Sequence, residues 1–474
     1  MAEQLKVDLC IIGAGSGGLS VAAGAQQMGA STALVEKGLM GGDCLNYGCV
    51  PSKALLAAGH AAEAIRHAPA FGISAGEPKI SSEKVYGHVR DTIAAIAPND
   101  SVERFEGFGV KVIQAAGRFT GPGEVVAGET TIKARRFVIS TGSSAFVPPI
   151  DGLNDVPYMT NENIFDGPDL PEHLIVIGGG PIGIEMAQAH RHLGAEVTVL
   201  EMFSIMPKDD PELVTVVRAR LDKDGIVIRE GIKVLGVEKT DFGIAVKIEN
   251  DGREERIEGS HLLVAAGRRA NVSGLDLEKA GIDYSPMGIA VDARLRTSNK
   301  KVFAIGDVAG GYQFTHVAGY HAGIVIRNAL FRLPAKSNMR AVPWVTYTAP
   351  ELSQVGLTEA EARKKYNDIK ILTWPFADND RAHAEQLTDG MIKVVTTAKG
   401  NILGAGIVGA HAGELIQTWV LALTKGMKIG DMASMIAPYP TLGEVSKRAA
   451  GSFYTESLFG ERTKKLVRFL RLFG

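Results

Sequence analysis

A chain of 474 residues, 45% hydrophobic and 22% charged, is too long for one core and too apolar to stay disordered, so about three domains are expected. Its net charge of −2 leaves no electrostatic footprint for nucleic acid. Three cysteines exclude a secreted disulfide scaffold.

The chain runs from Met1 straight into the apolar strand Val7 to Ile12, without the pattern of a signal peptide. Cys10 lies within this strand and reads as a buried small hydrophobe. The strand enters Gly13-Ala14-Gly15-Ser16-Gly17-Gly18, a helix follows over Leu19 to Met28, and a second strand, Thr32 to Val35, ends on Glu36. This is the pattern of a dinucleotide-binding βαβ unit. Gly13, Gly15 and Gly18 let the backbone approach a pyrophosphate at the helix N-terminus, and Glu36 accepts from ribose hydroxyls.

Next comes Gly41-Gly42-Asp43-Cys44-Leu45-Asn46-Tyr47-Gly48-Cys49-Val50-Pro51-Ser52-Lys53, leading into a helical stretch from Ala54. Cysteine at a helix start feels the positive end of the dipole, which favours its thiolate. Asn46 and Gly48 allow a turn tight enough to close a Cys44–Cys49 disulfide, and such a pair can carry two electrons by thiol–disulfide exchange. A purely structural disulfide and half a zinc site are the alternatives. Zinc would need two further ligands at finger-like spacing, which are absent nearby, so no metal is expected. A cycling pair fits a reducing cytosol, and no apolar run is long enough to span a bilayer. A cytoplasmic protein is expected.

The strand Phe137 to Ser140 runs into Thr141-Gly142. The first fingerprint then recurs: Leu174 to Ile177, a turn with Gly178, Gly180 and Gly183, a helix over Ile184 to Leu193, and a strand ending on Glu201. Two fingerprints imply two dinucleotides. Met202-Phe203-Ser204 after Glu201 supplies no arginine for a 2′-phosphate, which favours NAD(H). Leu262 to Ala266 closes this block at Gly267-Arg268. Val302 to Ile305 is a strand finishing at Gly306-Asp307, where the acid is placed to bind a polyol, and Thr315 to Leu330 reads as a helix. The segment after Pro343 alternates strands and then helices with no glycine fingerprint. The expected fold is α/β, with two Rossmann-like domains and a final α+β dimerisation domain. Their boundaries are 1–150 and 271–340 for the first domain, 151–270 for the second, and 341–474 for the last.

These motifs resemble those of the pyridine nucleotide-disulfide oxidoreductases with a C-x4-C site, such as dihydrolipoamide dehydrogenase, glutathione reductase and mercuric reductase. The likeness covers nearly the whole chain and includes Val345-Thr346-Tyr347-Thr348-Ala349-Pro350-Glu351. It implies FAD on the first fingerprint, NAD(H) on the second, a small thiol or disulfide substrate, and a homodimer built by the last domain. By the same resemblance, Cys49 is the flavin-proximal thiol and Cys44 the interchange thiol that meets substrate. Lys53 sits at the flavin and pairs with Glu185, while Asp307 binds the FAD ribitol. Gly42, His316 and Ala318 join the cofactor-binding set. Pro181 stands where some relatives place a tyrosine over the nicotinamide pocket, which implies an ungated pocket.

Three features depart from the family pattern. Its usual His-Pro-Thr-x-x-Glu appears as Tyr439-Pro440-Thr441-Leu442-Gly443-Glu444, so tyrosine replaces the histidine base while Glu444 remains. No cysteine follows Cys49, whereas mercuric reductases, which resemble this chain at the tyrosine, carry a C-terminal pair. Asp43 replaces a usual threonine and adds an acid beside the cysteines; an ordinary loop hydrogen bond is its simplest reading. Finally, Leu466, Phe469, Leu470 and Phe473 share one face of a basic helical stretch, which either packs on its own protein or touches an anionic membrane surface weakly.

Overall fold

The computed structural model describes residues 3–474. The chain forms two compact units, one reaching Met202 and resuming over Arg229–Asn338, the other comprising Phe203–Ile228 and Met339–Gly474.

In the first unit, β1 (Glu3–Ile12) leads through the glycine turn into helix α1 (Ser16–Gln27) and β2 (Thr32–Glu36). A short helix α2 (Gly42–Asn46), the long helices α3 (Cys49–His67) and α4 (Ser82–Ile96), and β3 (Lys111–Gln114) follow. β1 lies at the centre of a sheet, parallel to β2 on one side and to the strand Thr130–Ile139 on the other. β3 extends the first side, and Val302–Ala304 pairs in parallel with the end of Thr130–Ile139. The chain order therefore reverses at the C-terminal end of β1, the crevice where open parallel sheets bind ligands. Alternation along β1 divides the core. Leu9 and Ile11 pack with α1 and the helix Thr315–Ala329, while Cys10 and Ile12 face Phe119 and Phe137. Burial pushes the Cys10 thiol up to about 12, so it is an inert core side chain.

The second glycine fingerprint builds a similar sheet, with His173–Ile177 parallel to both Glu196–Leu200 and His261–Val264. Both fingerprint helices begin earlier than the sequence predicts, at Ser16 and Pro181. The glycines themselves form the first turn of α1, and Pro181, lacking an N–H, suits the opening position of a helix.

The second unit is built on a five-stranded sheet in the order Pro343–Thr346, Glu351–Gly356, Ile402–Gly409, Met391–Thr397, Ile369–Pro375, with antiparallel neighbours throughout. Helices cover it around the fully buried Trp419. Phe203–Ile228 groups with this unit. Its helix Pro211–Lys223 lies on the strands Glu351–Gly356 and Ile402–Gly409. Lys393, buried on the sheet, pairs with Asp210 at 3.1 Å and with Glu212 and Glu359 at 2.8 Å each. Trp344 Nε1 donates to Asp209 at 2.7 Å.

Candidate active site

The two cysteines owe their placement to one tight loop and one helix start. The Asn46 side-chain amide donates to the carbonyls of Met40 and Gly42, at 3.0 and 2.9 Å, and closes the turn. Gly42 has φ of +60°, and a Cβ there would meet Gly15 Cα at 2.8 Å, so glycine is required where the loop crosses the first fingerprint. Cys49 is the opening residue of the 19-residue α3. Both Cys44 and Cys49 are free thiols, the reduced form of the pair.

Their electrostatics are unequal. The hydrogen bond from Cys44 lowers the Cys49 thiol to about 6, helped by Thr315, whose Oγ1 lies 3.4 Å from Cys49 Sγ, and by the Lys53 charge. Burial and the Asp43 carboxylate work against this lowering. Cys44 moves the other way, well above a normal thiol, through its hydrogen bond to Cys49 and burial. One proton is thus shared between the two sulfurs and rests on Cys44.

Lys53 lies one turn beyond Cys49 on α3, and its Nζ is 2.8 Å from Oε2 of Glu185. Glu185 is buried and comes from the helix Pro181–His192, which packs along α3. The predicted pair is therefore formed, and it joins the two dinucleotide-binding halves of the first unit.

A second polar chain starts at Asp43. Its Oδ1 lies 3.0 Å from Arg268 Nη2 and accepts from Asn161 Nδ2 at 3.2 Å. Asn161 also donates to the carbonyl of Tyr47, at 3.1 Å. Arg268 donates to the hydroxyl and carbonyl of Ser143, at 2.8 Å each, and the Ser143 hydroxyl donates to Asp307 Oδ2 at 2.6 Å. Burial raises the Asp307 carboxyl above the usual range. Asn161, Ser143 and Thr315 were missed in the sequence, where only Thr315 carried a signal, as the neighbour of His316.

The dinucleotide positions fit their expected occupants. A Cβ on Gly13 would strike the Ser140 carbonyl at 2.4 Å, and one on Gly18 would strike the Gly13 carbonyl at 1.9 Å, so the outer glycines pack strand against helix. Gly15, between them, has no atom closer than 3.9 Å to that position, leaving its backbone open to a pyrophosphate. In the second fingerprint Gly178 and Gly183 are packed while Gly180 is open in the same way. Glu36 accepts from the Ala14 amide and Glu201 from the Gly179 amide, each at 2.6 Å, which fixes both acids beside their turns. Thr141 donates to the Asn271 carbonyl at 2.8 Å, and Gly142 and Gly267 have positive φ with open space around them. Ala318 packs over Gly17 and Gly306, while the His316 ring stacks on Phe314 with centroids 5.2 Å apart.

A cavity of about 430 Å³ runs along α3 and α4, lined by Cys49, Lys53, Ala57, His88, Thr92 and Ile96 among others. His88 and Thr92, which no motif marks, are the polar groups α4 adds there.

Tyr439 and Glu444 belong to the second unit. The exposed Tyr439 hydroxyl donates to Asp380 Oδ2 at 2.8 Å, and that hydrogen bond raises its pKa above an ordinary phenol. Glu444 opens the helix Glu444–Ser452.

Comparison with known proteins assigns this arrangement. The family description "Pyridine nucleotide-disulphide oxidoreductase" matches residues 7–322, and that of the family's dimerisation domain matches residues 342–450. The chain belongs to this family. It is 38% identical to a dihydrolipoyl dehydrogenase of Thermus scotoductus, over 95% of this chain and 98% of that one. It is 34% identical to a mercuric reductase of Bacillus cereus, over 94% of this chain and 71% of that one. The HOCl-induced flavoprotein disulfide reductase RclA from Escherichia coli, solved as a Cu(II) complex, superposes with a TM-score of 0.83 at 26% identity, covering 93% of this chain and 99% of that one. This oxidoreductase is accordingly an FAD-dependent enzyme of the disulfide-reductase type that uses a nicotinamide dinucleotide, and its dimerisation domain supports a homodimer. Among the described residues, no helix is long and apolar enough to cross a membrane.

Proposed function

We propose that this enzyme transfers electrons between NAD(H) and a small thiol or disulfide substrate through Cys44 and Cys49, most like a dihydrolipoamide dehydrogenase. The unequal cysteine pair carries the reading: a thiolate at Cys49 and a thiol at Cys44 at neutral pH suit a stepwise exchange. Bound FAD supplies two-electron exchange between the nicotinamide and the cysteines. Gly13, Gly15, Gly18, Glu36 and Asp307 would hold it, and Gly178, Gly180, Gly183 and Glu201 would hold NAD(H).

In the reducing direction, Cys49 takes the shared proton and Cys44 attacks a substrate disulfide as thiolate, forming a mixed disulfide and releasing one substrate thiolate. That thiolate takes the proton from Cys49. Cys49 then attacks the Cys44 sulfur, closing the Cys44–Cys49 disulfide and expelling the second substrate thiolate. Lys53 keeps positive charge beside Cys49 throughout, and Glu185 holds Lys53 in place. Small size is favoured for the substrate by the 430 Å³ cavity. A reducing cytosol is the compartment in which such a pair cycles.

A second reading is reduction of a thiophilic metal ion at the same thiols, favoured by the mercuric reductase relatives. Without a cysteine after Cys49, metal would reach Cys44 and Cys49 directly. The deciding experiment is anaerobic NADH oxidation with lipoamide, glutathione disulfide, mercuric ion and a quinone. Turnover with lipoamide that is abolished by Cys44→Ser supports the first reading, and turnover with mercuric ion alone supports the second. Quinone reduction that survives Cys44→Ser, with no cysteine-dependent turnover, would overturn both.

A further inference from the structure

The helix Glu461–Leu470 takes no part in the chemistry above, yet its side chains are sorted. At 3.6 residues per turn, Lys464, Lys465 and Arg468 fall on one arc around Glu461, while Leu466, Val467, Phe469 and Leu470 fall on the other, which Arg462 shares. None of its side chains is buried, and Leu466, Val467, Phe469 and Leu470 are each more than half exposed. The Phe469 and Phe473 rings lie edge to face, 5.2 Å apart. From Glu461 onward there are five basic residues and one acid, a local charge of +4 in a chain of −2, so the remainder carries −6.

We propose that this helix docks the enzyme on an anionic lipid bilayer, lying in the plane of the interface. The apolar arc enters the boundary between headgroups and acyl chains, and the basic arc faces the lipid phosphates. A strongly two-sided helix, with Lys and Arg on one face and Phe and Leu on the other, is the pattern of interfacial helices. The charges argue against a second copy as the occupant. A two-fold contact through this face would bring together two segments each of net charge +4, whose one acid, Glu461, is already engaged with Lys464 at 3.0 Å. Attraction to anionic lipid uses that net positive charge. One short helix binds weakly, but a homodimer presents two, and joint engagement raises the apparent affinity.

The test is co-sedimentation of the FAD-loaded enzyme with phosphatidylcholine vesicles and with mixed phosphatidylcholine/phosphatidylglycerol vesicles, at low and high salt. Binding only to the mixed vesicles, lost at high salt, is expected. Removing two basic charges by Lys464→Ala and Arg468→Ala should weaken binding roughly ten- to thirty-fold. Leu466→Glu with Phe469→Glu, or ending the chain at Gly460, should abolish it while NADH oxidation and dimer mass stay unchanged. Failure to bind the mixed vesicles, equal binding by the shortened chain, or conversion of the shortened chain to a monomer would each overturn the proposal; the last would show that a second copy covers the face.

Discussion

Asp43 and Arg268 form an ion pair at 3.0 Å, and the aspartate lies against the loop that carries both cysteines. A Cβ on Gly48, the residue before Cys49, would sit 2.9 Å from Asp43 Oδ2. The pair therefore ties the Cys44–Cys49 loop to the strand that follows Gly267, and through Ser143 to Asp307. Its carboxylate also opposes ionisation of Cys49. Replacing Asp43 by Asn keeps the shape and removes the charge. The Cys49 thiol should then fall further below 6, and its alkylation by iodoacetamide at pH 5.5 should accelerate several-fold. Rates followed from pH 4 to 8 in the reduced protein measure this. An unchanged or higher midpoint would mean that Arg268 already cancels the acid.

The Lys53–Glu185 pair leads to a stability prediction. Glu185 is buried, so Lys53→Met removes the cation that faces a carboxylate in the interior. Breaking a buried pair costs about 3–5 kcal/mol, and solvent at the partly open Lys53 reduces this to about 2. Adding Glu185→Leu should recover most of the loss. Urea denaturation of the wild type, the single variant and the double variant gives the comparison. A double variant no more stable than the single one would refute the burial argument.

Much of this site was legible in the sequence because it is local. Gly13, Gly15 and Gly18 follow a strand and open a helix, and the geometry they impose is the one observed. Cys44, Asn46 and Cys49 specify their own turn. Lys53–Glu185 was legible only through resemblance, since 132 positions separate the two residues. The polar chain from Asp43 to Asp307 was not legible. Asn161 and Ser143 sit in no motif, and hydroxyl and amide groups acquire a role only when folding sets them beside a charge. The ion pairs of Lys393 were not legible for a similar reason: it lies far along the chain from Asp210 and Glu212.

The pH dependence of the cysteine couple follows from the lowered Cys49 pKa. A group held at about 6 against an ordinary 9 favours the reduced form above that ordinary value, and the benefit is lost as pH falls through 6. Between pH 6 and 8, reducing the disulfide takes up one proton for two electrons, because Cys49 stays ionised while Cys44 is protonated. Below 6 it takes up two. The midpoint potential should therefore fall by about 30 mV per pH unit above the break and about 59 mV below it. Equilibration with glutathione buffers across this range, quantified by thiol trapping in the cofactor-free protein, locates the break. A constant slope through pH 6 would contradict the assigned asymmetry.

Nicotinamide choice is predicted to turn on Glu201. Its carboxylate is anchored by the Gly179 amide at 2.6 Å, so it cannot easily swing away from a 2′-phosphate. NADH should be used at least roughly a hundredfold better than NADPH by kcat/KM, from the combined loss of ribose hydrogen bonds and like-charge repulsion. Glu201→Ala should narrow the gap mainly by weakening NADH. Equal use of the two cofactors by the wild type would show that another residue receives the phosphate.

The last prediction concerns Tyr439. Oxidising a dithiol requires a proton to leave the attacking thiol, whose ordinary pKa is about 8.5. Histidine, at about 6.5, can take it near neutral pH; tyrosine, at about 10, cannot. The hydrogen bond to Asp380 moves Tyr439 further in the wrong direction, because an acceptor carboxylate stabilises the protonated phenol. A positioned general base contributes about 10²- to 10⁴-fold, so this enzyme should oxidise dihydrolipoamide slowly beside relatives that keep the histidine. Tyr439→His would place an imidazole where Asp380 can orient it. Dihydrolipoamide oxidation should then rise at least tenfold, with a new pH dependence near 6.5. Tyr439→Phe removes the hydroxyl and should leave the already slow lipoamide reaction nearly unchanged. Steady-state kinetics of the three proteins from pH 5.5 to 9 decide the matter. If the unaltered enzyme turns over dihydrolipoamide at hundreds per second and neither substitution changes it, Tyr439 is a bystander. His88, which shares the cavity beside Cys49, then becomes the first base to test, ahead of His383, whose Nε2 is engaged with the Ala377 carbonyl at 2.7 Å, and of His411.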